Sequence, residues 1–161
     1  MEATSVILPQ KLGLKLREKA EEIGYLPEEL GVELLRKSLD EELDPEDLVE
    51  HYEMLSEKYL ADAKELLSKG DVSQASEKFW CASALAVKRI GAMRGLKLEQ
   101  HGSLWDFISR LSRESRDKEI ARLFTVANGL HRNFYEAQMN KEAVEIVTAD
   151  IEKLIDKLKK K

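Results

Sequence analysis

The residues best suited to chemistry in this chain of 161 lie together, in the stretch His131-Arg132-Asn133-Phe134-Tyr135-Glu136. On a helix, His131 and Tyr135 share a face because they are four residues apart, and Arg132 and Glu136 form a second such pair. A histidine beside a phenol or a carboxylate can transfer protons near neutral pH, so His131, Arg132 and Tyr135 are candidates for catalysis. A purely structural interpretation, in which Arg132 and Glu136 form a helix salt bridge, is the one we favour.

A second candidate is a polar stripe on the helix predicted between residues 72 and 93. It contains Lys78 and Lys88, beside a face of small alanine side chains that lets a neighbouring helix approach. Two lysines in that position can hold an anion between helices, although the same pattern is typical of a solvated face covered by lysine stems. The candidate ligand-binding residues are therefore Lys78, Lys88, His101, His131, Arg132, Asn133, Tyr135 and Glu136.

The sequence gives no pattern for a metal or a cofactor. The three histidines, His51, His101 and His131, are far apart, and Cys81 is the only cysteine. No nucleophile elbow, phosphate loop or dinucleotide-binding glycine pattern is present. We therefore expect no metal and no cofactor, and we regard His101, in a predicted loop, as a candidate partner for His131.

Composition restricts the class of protein. The chain has 26 basic and 31 acidic residues and is 43% hydrophobic, which is typical of a globular protein with a net charge of -5. Its apolar runs are too short for a membrane span, and its start does not resemble a secretory signal, so we expect a cytoplasmic protein. Only seven residues are Asn or Gln, a usage typical of heat-adapted proteins and consistent with a thermophile.

Helices must position these side chains. All three prolines lie in the first third, at Pro9, Pro27 and Pro45, where each can begin a helix. Apolar spacing predicts helices over 10–23, 27–39, 45–67, 72–93, 104–111, 116–138 and 141–159. The predicted caps are Asp44 and Asp71. Short links after residue 45 predict an all-α, up-and-down antiparallel bundle over 45–161, preceded by an N-terminal extension over 1–44.

The extension resembles the ribbon-helix-helix pattern, in Val6-Ile7-Leu8-Pro9 followed by two amphipathic helices. The resemblance implies a short strand over residues 4–8 that pairs with the same strand of a second chain. A homodimer would provide hydrogen-bond partners for that strand edge. Charge disfavours DNA binding, because residues 1–50 hold six basic and fourteen acidic side chains and residues 3–8 hold no Lys or Arg.

From residue 45 onward the chain resembles the archaeal PaREP1 family, in the stretches 74–80 (QASEKFW) and 130–136 (LHRNFYE). The resemblance implies a helical bundle related to the HEPN superfamily. Many members of that superfamily are metal-independent ribonucleases or toxins, while others only bind partners. HEPN ribonucleases resemble one another in an Arg, often followed by Asn, His or Asp, and then a His after four to six intervening residues.

Arg132-Asn133 matches the opening of that motif, but positions 137–139 hold Ala, Gln and Met where the histidine would stand. We therefore expect a non-catalytic binding module for a protein partner or a nucleotide or RNA, and no membrane association. The alternatives are a HEPN-type ribonuclease or toxin-like protein and a ribbon-helix-helix DNA-binding regulator. Residues 51–161 carry a net charge of +3, so an anionic ligand of the bundle stays compatible with the sequence.

Overall fold

The computed structural model describes residues 3–98 and 101–161, except for the side chains of residues 101 and 102. The described residues form seven helices and no strand, which confirms the all-α class. The helices are α1 (Gln10–Ile23), α2 (Pro27–Ser38), α3 (Pro45–Ser68), α4 (Val72–Met93), α5 (His101–Ser115), α6 (Glu119–Glu136) and α7 (Lys141–Lys159).

The described chain divides into two compact units. The first extends to Leu43, and the second covers Asp44–Leu98 and Gly102–Lys161. In the first unit, α1 and α2 form a hairpin in which Ala20 and Leu30 are the buried residues. Most of its other apolar side chains are exposed.

The predicted strand over residues 4–8 is not formed. Residues 3–9 precede α1 without regular secondary structure, and Pro9 has an extended backbone. The physical reason is that a strand needs a neighbour for its backbone hydrogen bonds, and the described part of one chain offers no second strand. An apolar, β-favouring sequence by itself therefore gives only an extended segment.

The second unit is a helical bundle with α4 at its centre. Fifteen of the 22 residues of α4 are buried, because α3, α6 and α7 all pack against it. Apolar or small residues all round a helix are typical of such a central position. The three-residue link from α3 to α4 makes these two helices antiparallel neighbours, and Ser56 of α3 donates a buried hydrogen bond of 2.8 Å to the Ala82 carbonyl.

Helix ends follow the predicted capping chemistry. The Asp44 carboxylate accepts from the Glu46 backbone N–H at 3.1 Å, and the Asp71 carboxylate accepts from the Gln74 N–H at 3.2 Å. Both caps are confirmed. Gly70 lies between α3 and α4 with φ +86°, a left-handed conformation that glycine adopts without steric cost. Among the described residues, no helix has both the length and the apolarity needed to cross a bilayer.

Candidate functional site

The bundle brings Glu77 of α4 and His131 of α6 together. Glu77 Oε2 lies 2.9 Å from His131 Nδ1, and each side chain is about one-fifth exposed. The Trp80 ring, which is buried, lies 5.1 Å from the His131 ring between centroids. Tyr135 meets His131 edge-on at 5.4 Å and is 58% exposed. Thus one face of the site is a buried indole and the other reaches solvent.

This geometry has a definite chemical consequence for the imidazole. A carboxylate at Nδ1 favours the tautomer in which Nδ1 carries the proton. The other carboxylate oxygen, Glu77 Oε1, lies 3.9 Å from the Cys81 thiol, a weak contact that also restrains Glu77. Glu77 and His131 therefore form a hydrogen-bonded carboxylate–imidazole pair that is partly exposed at the bundle surface.

Within the predicted cluster, Asn133 has a different role from its neighbours. Its side chain is buried, its Nδ2 donates to Ser76 Oγ at 2.9 Å, and its Oδ1 accepts from the Met139 backbone N–H at 2.7 Å. Asn133 thus ties α6 to α4 and to the link before α7. It lies in the interior, away from a surface ligand.

Arg132 and Glu136 form the predicted helix salt bridge, with 3.4 Å between Arg132 Nη2 and Glu136 Oε1. Both side chains are exposed, so the interaction contributes little to stability. Arg132, Tyr135 and Glu136 lie on the surface at the end of α6, next to the partly exposed His131. We call these four residues the α6 cluster.

The two candidate lysines have different environments. Lys78 Nζ lies 4.4 Å from the centre of the Tyr59 ring, a cation–π contact with α3. Lys88 is buried, with 4% of its surface exposed, so the solvated-face interpretation is wrong for this residue. The structure therefore directs Lys78 toward α3, whereas His131 pairs with Glu77. The predicted partner His101 begins α5, and its side chain lies outside the described residues.

Glu77 is a candidate site residue that the sequence did not single out. It is 54 residues from His131, so no local spacing relates the two side chains. The sequence feature that points to Glu77 is its position in the stretch 74–80, three residues before Trp80. No three His, Cys, Asp or Glu side chains are grouped for metal binding in the ranges that the structure describes.

Comparison with known proteins agrees with this architecture. A crystal structure of a protein from Sulfolobus solfataricus is similar, with a TM-score of 0.58 and 29% identity over 65% of this chain and 92% of that one. A comparison with curated proteins finds no match. The family profile described as archaeal PaREP1/PaREP8 matches residues 51–155, which include Glu77 and the whole α6 cluster. With more than half of its length matched, the chain belongs to the archaeal PaREP1/PaREP8 family.

Proposed function

We propose that this chain is a non-catalytic interaction protein that works as a homodimer. In this proposal the unit that extends to Leu43 joins two copies, and each bundle presents the α6 cluster to a protein partner. Arginine and tyrosine are the residue types that most often carry binding energy in protein interfaces, and Arg132 and Tyr135 are exposed side by side.

The observation that carries the proposal is the exposed apolar surface of the first unit. Among the described residues of this unit, ten large apolar side chains are more than one-third exposed: Val6, Ile7, Leu8, Leu12, Leu14, Ile23, Leu34, Leu35, Leu39 and Leu43. The described part of the bundle, which is more than twice as long, exposes five. Soluble proteins rarely leave so many apolar side chains together in water unless a partner covers them.

A second copy is the occupant that best suits this surface. A unit of about 40 residues is too small to bury a sufficient core of its own, and oligomerisation is a common remedy. The extended residues 3–9 also leave a backbone edge that an identical edge can pair with, because two-fold symmetry makes such an interface self-complementary. Both features favour a symmetric pair of units.

Light scattering of the full chain tests the dimer. We expect the mass of two chains for the native protein and of one chain for the double variant Leu12→Glu/Leu35→Glu. Both leucines are about half exposed, so the charges should leave the fold of each copy intact. Ile146→Glu, at an apolar position of the bundle that is 68% exposed, is the matched control and should remain dimeric. A single-chain mass for the native protein would refute the proposal.

A second candidate, HEPN-type ribonuclease activity, is favoured by one specific observation. The 2.9 Å contact between Glu77 and His131 is the arrangement by which a carboxylate orients a catalytic histidine. Purified protein should then degrade RNA, and His131→Ala should abolish the degradation while His51→Ala leaves it unchanged. Equal background cleavage by all three proteins would remove this candidate.

The ribbon-helix-helix regulator receives no support from the residues that would read DNA. Residues 3–9 form no strand and contain no Lys or Arg. A native protein that shifts a DNA duplex at low salt, and loses the shift when residues 3–9 are removed, would restore this alternative. Retention of the shift after that deletion would assign the contact to another part of the chain.

A further inference from the structure

The surface formed by the end of α5, the start of α6 and the end of α7 is basic. Residues 110–122 and 153–161 together hold ten Lys and Arg side chains and four carboxylates, within a chain whose net charge is -5. The first segment covers the end of α5, the turn that follows and the start of α6. The second covers the end of α7. We call these two segments the basic end.

Ion pairs bring the two segments of the basic end into one surface. Lys157 Nζ of α7 lies 2.7 Å from Asp117 Oδ2, in the turn between α5 and α6. Lys153, one turn earlier in α7, has its Nζ 2.7 Å from Glu119 Oε1. The charge of Lys161 also acts on Asp117, where it helps to lower the pKa of that carboxyl after the larger effect of the Lys157 hydrogen bond.

The carboxylates of the basic end are mostly engaged by cations already. Glu114 Oε2 lies 2.9 Å from Arg94 Nη1, and Glu114 Oε1 accepts from Arg110 at the same distance. Asp117 and Glu119 are held by lysines of α7. The described residues of the basic end then include six further exposed cations and one further exposed carboxylate, Asp156. The six are Arg113, Arg116, Lys118, Arg122, Lys160 and Lys161.

The chemistry of this surface selects the class of partner. Within the described residues, neither segment has a large apolar side chain that is strongly exposed, so it lacks the anchors of a protein interface and the apolar face of a membrane-binding helix. Three of the six cations are arginines, whose planar guanidinium matches phosphate oxygens with two parallel hydrogen bonds. Closely spaced phosphates are the ligands that suit six neighbouring cations.

We propose that the basic end binds the phosphate backbone of nucleic acid, independently of base sequence. This surface lies at the start of α6, and the α6 cluster lies at its end, about 20 Å away along the helix. The proposal does not rest on the homodimer, although a dimer would present two such surfaces.

Charge density predicts which nucleic acid binds more tightly. A duplex carries one negative charge for about every 1.7 Å of its axis, whereas single strands gain affinity mainly by stacking bases on exposed aromatic rings. The basic end has no exposed aromatic side chain in the described residues. A duplex should therefore bind more tightly than a single strand. Measuring a DNA duplex and an RNA duplex separately shows which of the two nucleic acids the basic end binds.

Fluorescence anisotropy with a short labelled duplex tests the proposal in the full chain. The variant Arg113→Gln/Arg116→Gly/Lys118→Gln removes three cations. Arg116 has φ +53°, so glycine at this position relieves backbone strain and the variant should fold at least as stably as the native protein. The control Lys58→Gln/Lys64→Gln/Lys141→Gln removes the same charge from other faces of the bundle.

We expect the native protein to bind a duplex at low salt. The logarithm of its affinity should fall linearly with the logarithm of the salt concentration. In the triple variant the magnitude of that slope should fall by up to about 3, because each lost phosphate contact lowers it by about 0.9. The control should keep the native slope.

Several results would overturn the proposal. They are no binding of either duplex at low salt, equal losses in the triple variant and the control, tighter binding of a single strand than of a duplex, and binding of phosphatidylserine vesicles in place of nucleic acid. Dissociation of the dimer by the triple variant would also overturn it, because the basic end would then bind the acidic unit of a second copy.

Discussion

At the scale of single residues, Asn133 shows how a polar side chain in the interior fixes the position of the α6 cluster. Its side-chain amide donates from Nδ2 to Ser76 Oγ of α4 at 2.9 Å and accepts at Oδ1 from the Met139 backbone N–H at 2.7 Å. The bond to Ser76 is buried and the bond from Met139 is partly buried, so loss of the Asn133 side chain leaves polar groups that water reaches poorly without a partner. Asn133 thereby holds the stretch that precedes it, including His131, in register with Glu77.

We predict that Asn133→Ala lowers the free energy of unfolding by about 1–3 kcal/mol, the usual effect of leaving buried polar groups unsatisfied. Asn128→Ala, a half-buried position in the same helix, is the control and should change stability much less. Urea unfolding followed by circular dichroism measures both. Equal destabilisation of the two variants would show that the Asn133 bonds contribute nothing specific.

At the scale of the elements, α4 is the central helix of the bundle, because most of its residues are buried against α3, α6 and α7 and it carries Glu77, Trp80 and Lys88. Its start is fixed by Asp71, whose carboxylate accepts from the Gln74 N–H. A second set of contacts, between the turn after α5 and the end of α7, closes the opposite end of the bundle. Both sets act at helix ends, where backbone groups otherwise lack partners.

Loss of the α4 cap should be measurable. We predict that Asp71→Ala destabilises the protein by about 1 kcal/mol, whereas Asp71→Asn changes stability little because asparagine is an equally good N-cap. Thermal unfolding of the three proteins tests this. If Asn destabilises as much as Ala, the carboxylate acts through its charge, and the cap hydrogen bond is secondary.

The contacts at the end of α7 should make stability depend on acid. The hydrogen bond from Lys157 lowers the pKa of Asp117 from its ordinary 3.8, and the one from Lys153 lowers the pKa of Glu119 from 4.5. Carboxyls with lowered pKa values stabilise the fold above their ordinary pKa, and this stabilisation disappears as the pH falls through the folded value. The sensitive window therefore lies below about pH 4.5.

We predict that Lys157→Met lowers the melting temperature at pH 7 and flattens its decline in acid, because the Asp117 ion pair is already absent. Lys160→Met, an exposed position three residues away, should keep the native decline. Melting temperatures measured between neutral pH and pH 3 distinguish the two variants. A native-like acid profile for Lys157→Met would contradict the assigned pair.

At the scale of the whole molecule, charge and exposed apolar surface are unevenly distributed along the chain. Residues 1–50 carry a net charge of -8, and residues 51–161 carry +3. The acidic residues 1–50 include the part of the first unit that extends to Leu43, which holds most of the exposed large apolar side chains described, whereas residues 51–161 include the basic end. The overall value of -5 conceals this difference. In the proposed dimer, apolar contact must overcome repulsion between two acidic units.

This balance predicts how association responds to salt and concentration. Added salt screens the repulsion, so the dimer should tighten as ionic strength rises, whereas a dimer held by ion pairs would weaken. Because association stabilises the folded state by mass action, the melting temperature should rise with protein concentration. Leu12→Glu/Leu35→Glu should melt independently of concentration. A concentration-independent native protein would contradict a dimer that assembles through this unit.

Several features of the fold could be predicted because they depend on local spacing. The helix over residues 10–23 and the one over 141–159 begin and end as apolar periodicity predicts, and Asp44 and Asp71 cap their helices as expected. The candidate site was predicted less completely than the helices and their caps. Arg132 and Glu136 pair within one helix turn, but the partner of His131 is Glu77 on another helix. A contact between helices has no fixed sequence separation.

The sequence by itself determined the helices, their caps, the family resemblance and the division of charge, because each depends on residue types at short spacing. Only the tertiary structure decided that Glu77 meets His131, that Asn133 and Lys88 are buried, and that the end of α7 joins the turn after α5. Those outcomes depend on which helix faces pack together. Packing also decided against the strand over residues 4–8, since β pairing needs a partner that the described part of one chain does not supply.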